Sequence, residues 1–345
     1  MEENKIENIN STLPSVITPT SFVFNGATNV PKILLFKDGC LDFLPAQEYQ
    51  IGVYFDTYGC ASFSFNNCLE IDGTRRIDLK LYSDDNIKFL KENFMVDGKL
   101  NFSDRDLVVL SGTDPDWGND TWSIFEFARK KGLICESDEP WDFRNRDPQV
   151  NIKTNYYNYK RTAENQKKAD ELLKRFEIKG EWVARDNWLE ASQYGVVQVY
   201  TKAWFKRNGK YYNPIPNSSG HGITLVKKSE QKIFDQYEPF IKELERDEDF
   251  YPFGFKLSLI EKVMTKPIIE NNALVQLVSG QGGFGLYLDG KIIVDDVAKI
   301  QASFIVRNTI LVNGKKRFMG GATATLQQAE WDMFDKYNLK MEKIS

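Results

Sequence analysis

Hydrophobic and polar positions change in short blocks along this chain, and the blocks separate a helix-patterned half from a strand-patterned one. Ile33-Leu34-Leu35-Phe36 predicts a strand ending at the turn Asp38-Gly39. A short apolar segment (Ile51, Val53, Tyr54, Phe55) stops at Asp56, and Cys60 then opens a predicted helix running to about Glu70. Ser83 to Asn93 predicts a second helix. Ser103, followed by Asp104, Asp106 and apolar Leu107 to Leu110, has the signature of a capped helix with acids at the positive end of its dipole, ending at Gly112. Residues 114–120 carry turn chemistry. Thr121 to Lys131 places Trp122, Phe125 and Ala128 on one helical stripe, with Gly132 as C-cap. Thr162 to Phe176 predicts an exposed, mixed-charge helix within an insertion or lid over 151–179, and Asn187 to Gln193 a short helix.

The period then shortens. Val196 to Tyr200 is β-branched and predicts a strand, and Gly209 marks a hairpin-like turn. Gly220 to Val226 and Lys232 to Asp235 predict two more strands joined through Lys227 to Gln231. The charged run Lys242 to Asp249 reads as a solvated helix or linker. Beyond about residue 270 the texture changes to a predicted hairpin with an Asp289-Gly290 turn, and Leu326 to Tyr337 predicts a closing helix. The expected organisation is a polar arm over 1–44, read as a candidate pro-segment, a main domain over 45–270 and a small α+β appendage over 271–345.

The 345 residues are enough for one large or two ordinary domains. A net charge of −4 shows no general basic character, so neither nucleic acid nor an anionic membrane is an expected partner. No apolar run approaches the roughly 18 residues of a membrane span, and Met1-Glu2-Glu3-Asn4-Lys5 does not open a signal peptide. The expected location is therefore the cytoplasm. The four cysteines (Cys40, Cys60, Cys68, Cys135) lack metal-type pairing, and no disulfide framework is expected. Gly280 to Gly285 is glycine-rich but lacks the phosphate-loop pattern G-x-x-x-x-G-K-[ST].

Chemistry concentrates on three residues. At a helix N-terminus the unpaired N–H groups and the dipole favour negative charge, and the thiolate is the nucleophilic form of a cysteine. Cys60 is placed there. His221 is the only histidine, set between two glycines at the start of a predicted strand. Asp235 follows it by 14 residues, at the end of the next strand. Adjacent antiparallel strands can bring that imidazole and carboxylate together. A thiol, an imidazole and a carboxylate then form a relay in which the ring takes the thiol proton and the carboxylate fixes its tautomer.

In series, several segments resemble the papain-like cysteine peptidases over about residues 45–240. Gly59-Cys60-Ala61-Ser62-Phe63 is similar to the nucleophile segment, and Phe102 to Val108 to the family's "LSEQxLV" stretch. Lys131 to Pro140 resembles "GGI…E…YPY", Leu189 to Val199 "A…GPVSV", and Gly220-His221-Gly222-Ile223 the place of "NHAV". The resemblance implies a two-lobe α+β fold, one lobe helical and one antiparallel β, with the cleft between. It implies cleavage of a protein or peptide substrate without a metal or organic cofactor. The sequence departs from the family where Asp235-Gln236-Tyr237 replaces an asparagine followed by Ser-Trp. It departs again at the oxyanion glutamine, normally about six residues before the cysteine, where Tyr54 now stands. Gln50, ten residues before, is the nearest upstream glutamine and the candidate donor. Two other readings stay open. One is an inactive papain-like scaffold serving in a virus or phage particle, with assembly partners held through 271–345. The other is a transglutaminase-like or isopeptidase acyl transferase.

Overall fold

The computed structural model describes residues 33–262 in full and, beyond them, short strands between residues 269 and 317. By internal contacts the chain divides into two units, Met1–Lys262 and Val263–Ser345. The N-terminal arm through residue 32 and the helix expected over Leu326 to Tyr337 lie outside the described residues.

In chain order, the first unit contains helix α1 (Cys60–Asp78), α2 (Asp84–Asn93), strands β1 (Met95–Val96) and β2 (Lys99–Leu100), α3 (Asp104–Leu110) and α4 (Thr121–Lys131). Then follow α5 (Lys153–Tyr157), α6 (Ala163–Arg175), β3 (Phe176–Ala184), α7 (Trp188–Tyr194), β4 (Val196–Thr201), β5 (Phe205–Arg207) and β6 (Lys210–Tyr212). It closes with β7 (His221–Lys227), β8 (Lys232–Phe234), β9 (Ile241–Glu243) and β10 (Phe253–Glu261). The fold is α+β. Six strands make one antiparallel sheet in the order β3-β10-β4-β7-β8-β9.

Helix α1 runs to Asp78 rather than stopping near Glu70. The sequence pattern misleads there because α1 has no polar face. Ser62, Ser64, Asn66, Glu70, Asp72 and Arg76 are all buried with its apolar residues. All of these side chains except Ser62 are supported by a bond. Asn66 Nδ2 donates to Asp104 Oδ1 at 2.8 Å, Glu70 Oε1 accepts from Phe102 N at 2.6 Å, and Asp72 Oδ2 accepts from Leu259 N at 2.9 Å and from Arg76 Nε at 2.7 Å. A polar group without such a partner would be costly to bury.

The sheet is covered on both faces, which is why β4 reads as the near-continuous run Val-Val-Gln-Val-Tyr-Thr. Val196 and Tyr200 join the core shared with α1, while Val197 and Val199 join a second core with Trp188, Ile223, Leu225 and Phe250. Alternation along a strand assigns these faces. On β7, Gly222 and Thr224 meet α1. Thr224 Oγ1 donates to Ser64 O at 3.3 Å, and an ideal Cβ on Gly222 would lie 3.1 Å from Ala61 Cα.

Helices α2, α3, α4 and α7 form where the sequence placed them; Ser103 caps α3 as expected, its Oγ accepting from Asp106 N, and Asp120, read only as part of a turn, caps α4 through Oδ1, which accepts from Ser123 N. Three expectations need correction. Residues 33–36 are not a strand; Leu35 and Phe36 donate instead to Gln193 O, at 2.8 and 3.2 Å. Helix α6 buries Ala169 and Leu172 against α4 and leads directly into β3, so it is a packed element of the domain. The run Lys242 to Asp249 is not a solvated helix or linker, and its only helical part is a single 3-10 turn over Asp247–Asp249. Lys242 sits inside β9, and both it and Asp249 are buried.

In the second unit, β11 (Ile269–Glu270), β12 (Gln276–Gly280), β13 (Gly283–Leu288), β14 (Lys291–Val294), β15 (Ile310–Val312) and β16 (Lys315–Arg317) form two three-stranded antiparallel sheets. The hairpin expected around Asp289-Gly290 corresponds to β13 and β14, and β12 adds a strand to it.

Candidate active site

Cys60 is the first residue of α1, and Gly59 precedes it in a bend braced by Thr57 Oγ1, which accepts from Gly59 N at 3.1 Å. A side chain at Gly59 would collide with Val108, 2.5 Å from an ideal Cβ. The sulfur therefore enters the helix where the dipole favours negative charge. Gly222 N donates to Cys60 Sγ at 3.2 Å, joining the start of α1 to the start of β7. His221 is the preceding residue of that strand.

The pairing of β7 with β8 then places Asp235, just past β8, against the imidazole. His221 Nε2 and Asp235 Oδ1 are 2.7 Å apart. Nδ1 has no second hydrogen-bond partner, which leaves it as the atom for exchange with the thiol. All three side chains are buried. Burial by itself would push the imidazole below its ordinary 6.5, but the Asp235 carboxylate and the Cys60 sulfur outweigh it and raise the pKa to about 9. Burial likewise opposes ionisation of Asp235, yet the imidazolium and the Lys242 ammonium hold its pKa at about 2. The arrangement thus favours a protonated ring beside the Asp235 carboxylate.

Asp235 is held on every side. Its Oδ1 also accepts from Gln236 N at 2.7 Å and Tyr237 N at 3.3 Å, and its Oδ2 accepts from Lys242 Nζ. Trp204 and Tyr237 pack on the imidazole, with ring centroids 4.5 and 5.3 Å away, and meet each other at 90°. They shield the His221–Asp235 bond from water.

Gln50 is buried, and the residues after it form a tight excursion. Ile51 pairs with Asp56, Gly52 N donates to Phe55 O, and Thr57 N returns to Gln50 O. This hairpin absorbs the extra spacing before the cysteine and sets Gln50 beside Thr57. Gln50 Nε2 donates to Asp56 Oδ1 at 2.9 Å. Asp56 also accepts from Tyr58 N at 2.7 Å and, through Oδ2, from the Tyr237 hydroxyl. Burial and the Asp56 carboxylate keep that phenol protonated, well above its ordinary range. Tyr58 itself adopts a left-handed backbone conformation (φ 54°), so the loop before the nucleophile is held in a costly shape by these bonds.

The structure brings Cys60, His221 and Asp235 together as the spacing suggested. It adds Lys242, Asp56 and Trp204, which sequence reasoning missed. Lys242 had a signal of a kind: a lysine seven residues after the candidate aspartate, directly after Ile241 and two before Leu244. A separate cavity of about 290 Å³, lined by Glu48, Asp104, Glu136, Trp141 and Tyr156 among others, includes none of the three relay residues. Among the described residues no cluster of metal-ligating side chains occurs, and no helix is long and apolar enough to cross a membrane.

No protein-family model matches the sequence, and a search of curated proteins finds no match. Among solved structures, the chain is similar to xylellain, a cysteine protease from Xylella fastidiosa, with a TM-score of 0.46 and 14% identity over 74% of this chain and 96% of that one. It is similar to digestive procathepsin L 3 of Tenebrio molitor, with a TM-score of 0.37 and 13% identity over 73% of this chain and 69% of that one. A bromelain protease from Ananas comosus gives a TM-score of 0.38 and 13% identity over 63% of this chain and 94% of that one.

Proposed function

We propose that the protein is a papain-like cysteine peptidase. The observation that carries this reading is the buried pairing of the lone histidine with Asp235, with the Cys60 sulfur at the head of α1 held by the N–H of Gly222, the residue beside that histidine. In the proposed reaction Cys60 Sγ attacks the carbonyl carbon of a peptide bond. The C–N bond breaks as the His221 imidazolium gives its proton to the leaving amine, and a thioester remains. Water then attacks the thioester, His221 takes its proton, and the acid and free thiol are released. Asp235 holds the ring in the tautomer and orientation both steps need. The Cys60 N–H and Gln50 Nε2 are the proposed oxyanion donors. An amide nitrogen carries two N–H bonds, so the one given to Asp56 leaves a second for substrate.

The full burial of Cys60 and His221 supports a second reading, a covered relay on a scaffold that no longer turns over substrate. One experiment separates the two. The folded protein is treated with an epoxide or iodoacetamide at pH 6, where an ordinary thiol of pKa about 8.5 is almost wholly protonated. Selective, rapid labelling of Cys60 that disappears in His221→Ala, with peptide cleavage lost in Cys60→Ala, supports the peptidase. Slow and equal labelling in both proteins supports the scaffold.

A further inference from the structure

The Asp235 carboxylate has two oxygens, and only one serves the histidine. The other is taken by Lys242 Nζ, which also donates to Tyr237 O at 2.8 Å. The Lys242 side chain is 4% exposed. It lies 5.8 Å from the centre of the Trp204 ring and 5.7 Å from that of Tyr211. A charge buried this deeply is tolerated only when paired and hydrogen-bonded, and here carboxylate, carbonyl and two aromatic faces supply the pairing. Trp204 lies against both the ammonium and the imidazole, and Tyr237 contributes its ring to His221 and its carbonyl to Lys242. Lys242 and His221 therefore occupy opposite ends of one carboxylate inside one aromatic enclosure. The other titratable groups facing this enclosure are Cys60 from α1, Tyr211 from β6, and Tyr237 with its partner Asp56.

We propose that Lys242 is a positioning residue of the relay: it locks the far oxygen of Asp235 and offsets part of the carboxylate's charge, so that Asp235 orients His221 while holding the ring proton less tightly than an unshared carboxylate would. This rests on the peptidase reading above. A full, unshared carboxylate beside the ring would hold the imidazole proton too strongly for its return to the leaving amine. Lys242 withdraws part of that charge while leaving the Oδ1–Nε2 bond in place. The same geometry explains how an aspartate can stand at a position where the sequence resemblance expects asparagine: the aspartate and the lysine form a unit whose net charge is that of the amide.

The test is the pH profile of Cys60 alkylation by iodoacetamide, read at its alkaline step, where His221 loses its proton. Five proteins are compared: wild type, Lys242→Met, Lys242→Arg, Asp235→Asn and the double variant Asp235→Asn/Lys242→Met. Removing only the lysine leaves the carboxylate charge on the ring, so the step should rise by on the order of one pH unit. Removing only the carboxylate leaves a bare ammonium nearby, so the step should fall by at least as much. The double variant should lie between the two singles and nearer wild type, and Lys242→Arg should stay near wild type. A merely structural lysine would lower the melting temperature without producing this order. The proposal is overturned if folded Lys242→Met keeps the wild-type step. Should Lys242→Met not fold, it is overturned if the double variant and Asp235→Asn share one step. Failure of the underlying reading shows differently, as a wild-type protein whose Cys60 reacts no faster than in His221→Ala, and it removes this proposal too.

Discussion

Replacing Gly222 with alanine tests whether the site depends on the close seat of α1 on β7. An ideal Cβ at Gly222 lies 3.0 Å from Ser64 Oγ, 3.1 Å from Ala61 Cα and 3.3 Å from Ala61 N. Two of these atoms are backbone of the first turn of α1, which cannot rotate out of the way. That turn is also tied down from β4: Gln198 Nε2 donates to Ala61 O at 2.7 Å and to Ser64 Oγ at 2.6 Å. The added methyl must therefore separate helix and strand by a few tenths of an ångström, or strain the Gln198 bonds. Overpacking of this kind costs about 1–3 kcal/mol. At roughly 2–4 °C per kcal/mol for a domain of this size, the melting temperature should fall by about 2–12 °C. The shift also lengthens the 3.2 Å contact from Gly222 N to Cys60 Sγ and displaces His221, the next residue on the strand. Because a misplacement near 1 Å can cost about a hundredfold, a few tenths should slow the labelling of Cys60 at pH 6 by roughly tenfold. Thermal melts followed by circular dichroism, with intact-mass kinetics of labelling, read both effects. A variant with wild-type melting and wild-type labelling would refute the reasoning.

The relay also makes stability depend on pH. His221 has a folded pKa of about 9, above its ordinary 6.5, so its contribution is complete below 6.5 and is lost as pH rises through 9. Asp235 has a folded pKa of about 2, below its ordinary 3.8, so its contribution is complete above 3.8 and is lost as pH falls through 2. The stability gap between wild type and His221→Ala, measured by urea unfolding, should be widest near pH 5.5 and should shrink by pH 9.5; a gap constant over that range would contradict the assignment. Away from the site, Arg161 and Asp106 form a buried pair in which Asp106 also accepts from the Tyr159 hydroxyl at 2.9 Å. Arg161→Met should destabilise by about 3–5 kcal/mol because it strands a buried carboxylate. Adding Asp106→Leu should recover part of that loss in the same urea measurement, and no recovery would show that the arginine acts through packing alone.

How much was visible beforehand varies with the kind of signal. Helices α3 and α4 begin at Ser103 and Asp120, whose side chains accept from first-turn N–H groups as at helix starts anywhere, so their positions were legible. The length of α1 was not, because a helix buried on all sides has no stripe to read and its polar residues resemble a loop. Ile33 to Phe36 looked like a strand because β-type composition does not reveal whether a sheet edge is available, and here the segment takes only the Gln193 carbonyl.

The α+β class and the three relay candidates could be read without a structure. A cysteine at a helix start, a single histidine between glycines and an aspartate one strand later are short-range facts. Tertiary structure decided the rest. Strand register put Asp235 Oδ1 on His221 Nε2, since a one-residue slip would have turned the side chains to the opposite face. The excursion over residues 51–56 placed Gln50 beside Thr57 despite its unfamiliar spacing. Lys242, which looks like one more surface charge in a run of acids and bases, became the buried partner of Asp235 because β9, the strand that carries it, pairs with β8 just before Asp235. Charge in a sequence has no address: whether a lysine is solvated or sealed beside a carboxylate depends on which strand is its neighbour, and only the folded sheet sets that.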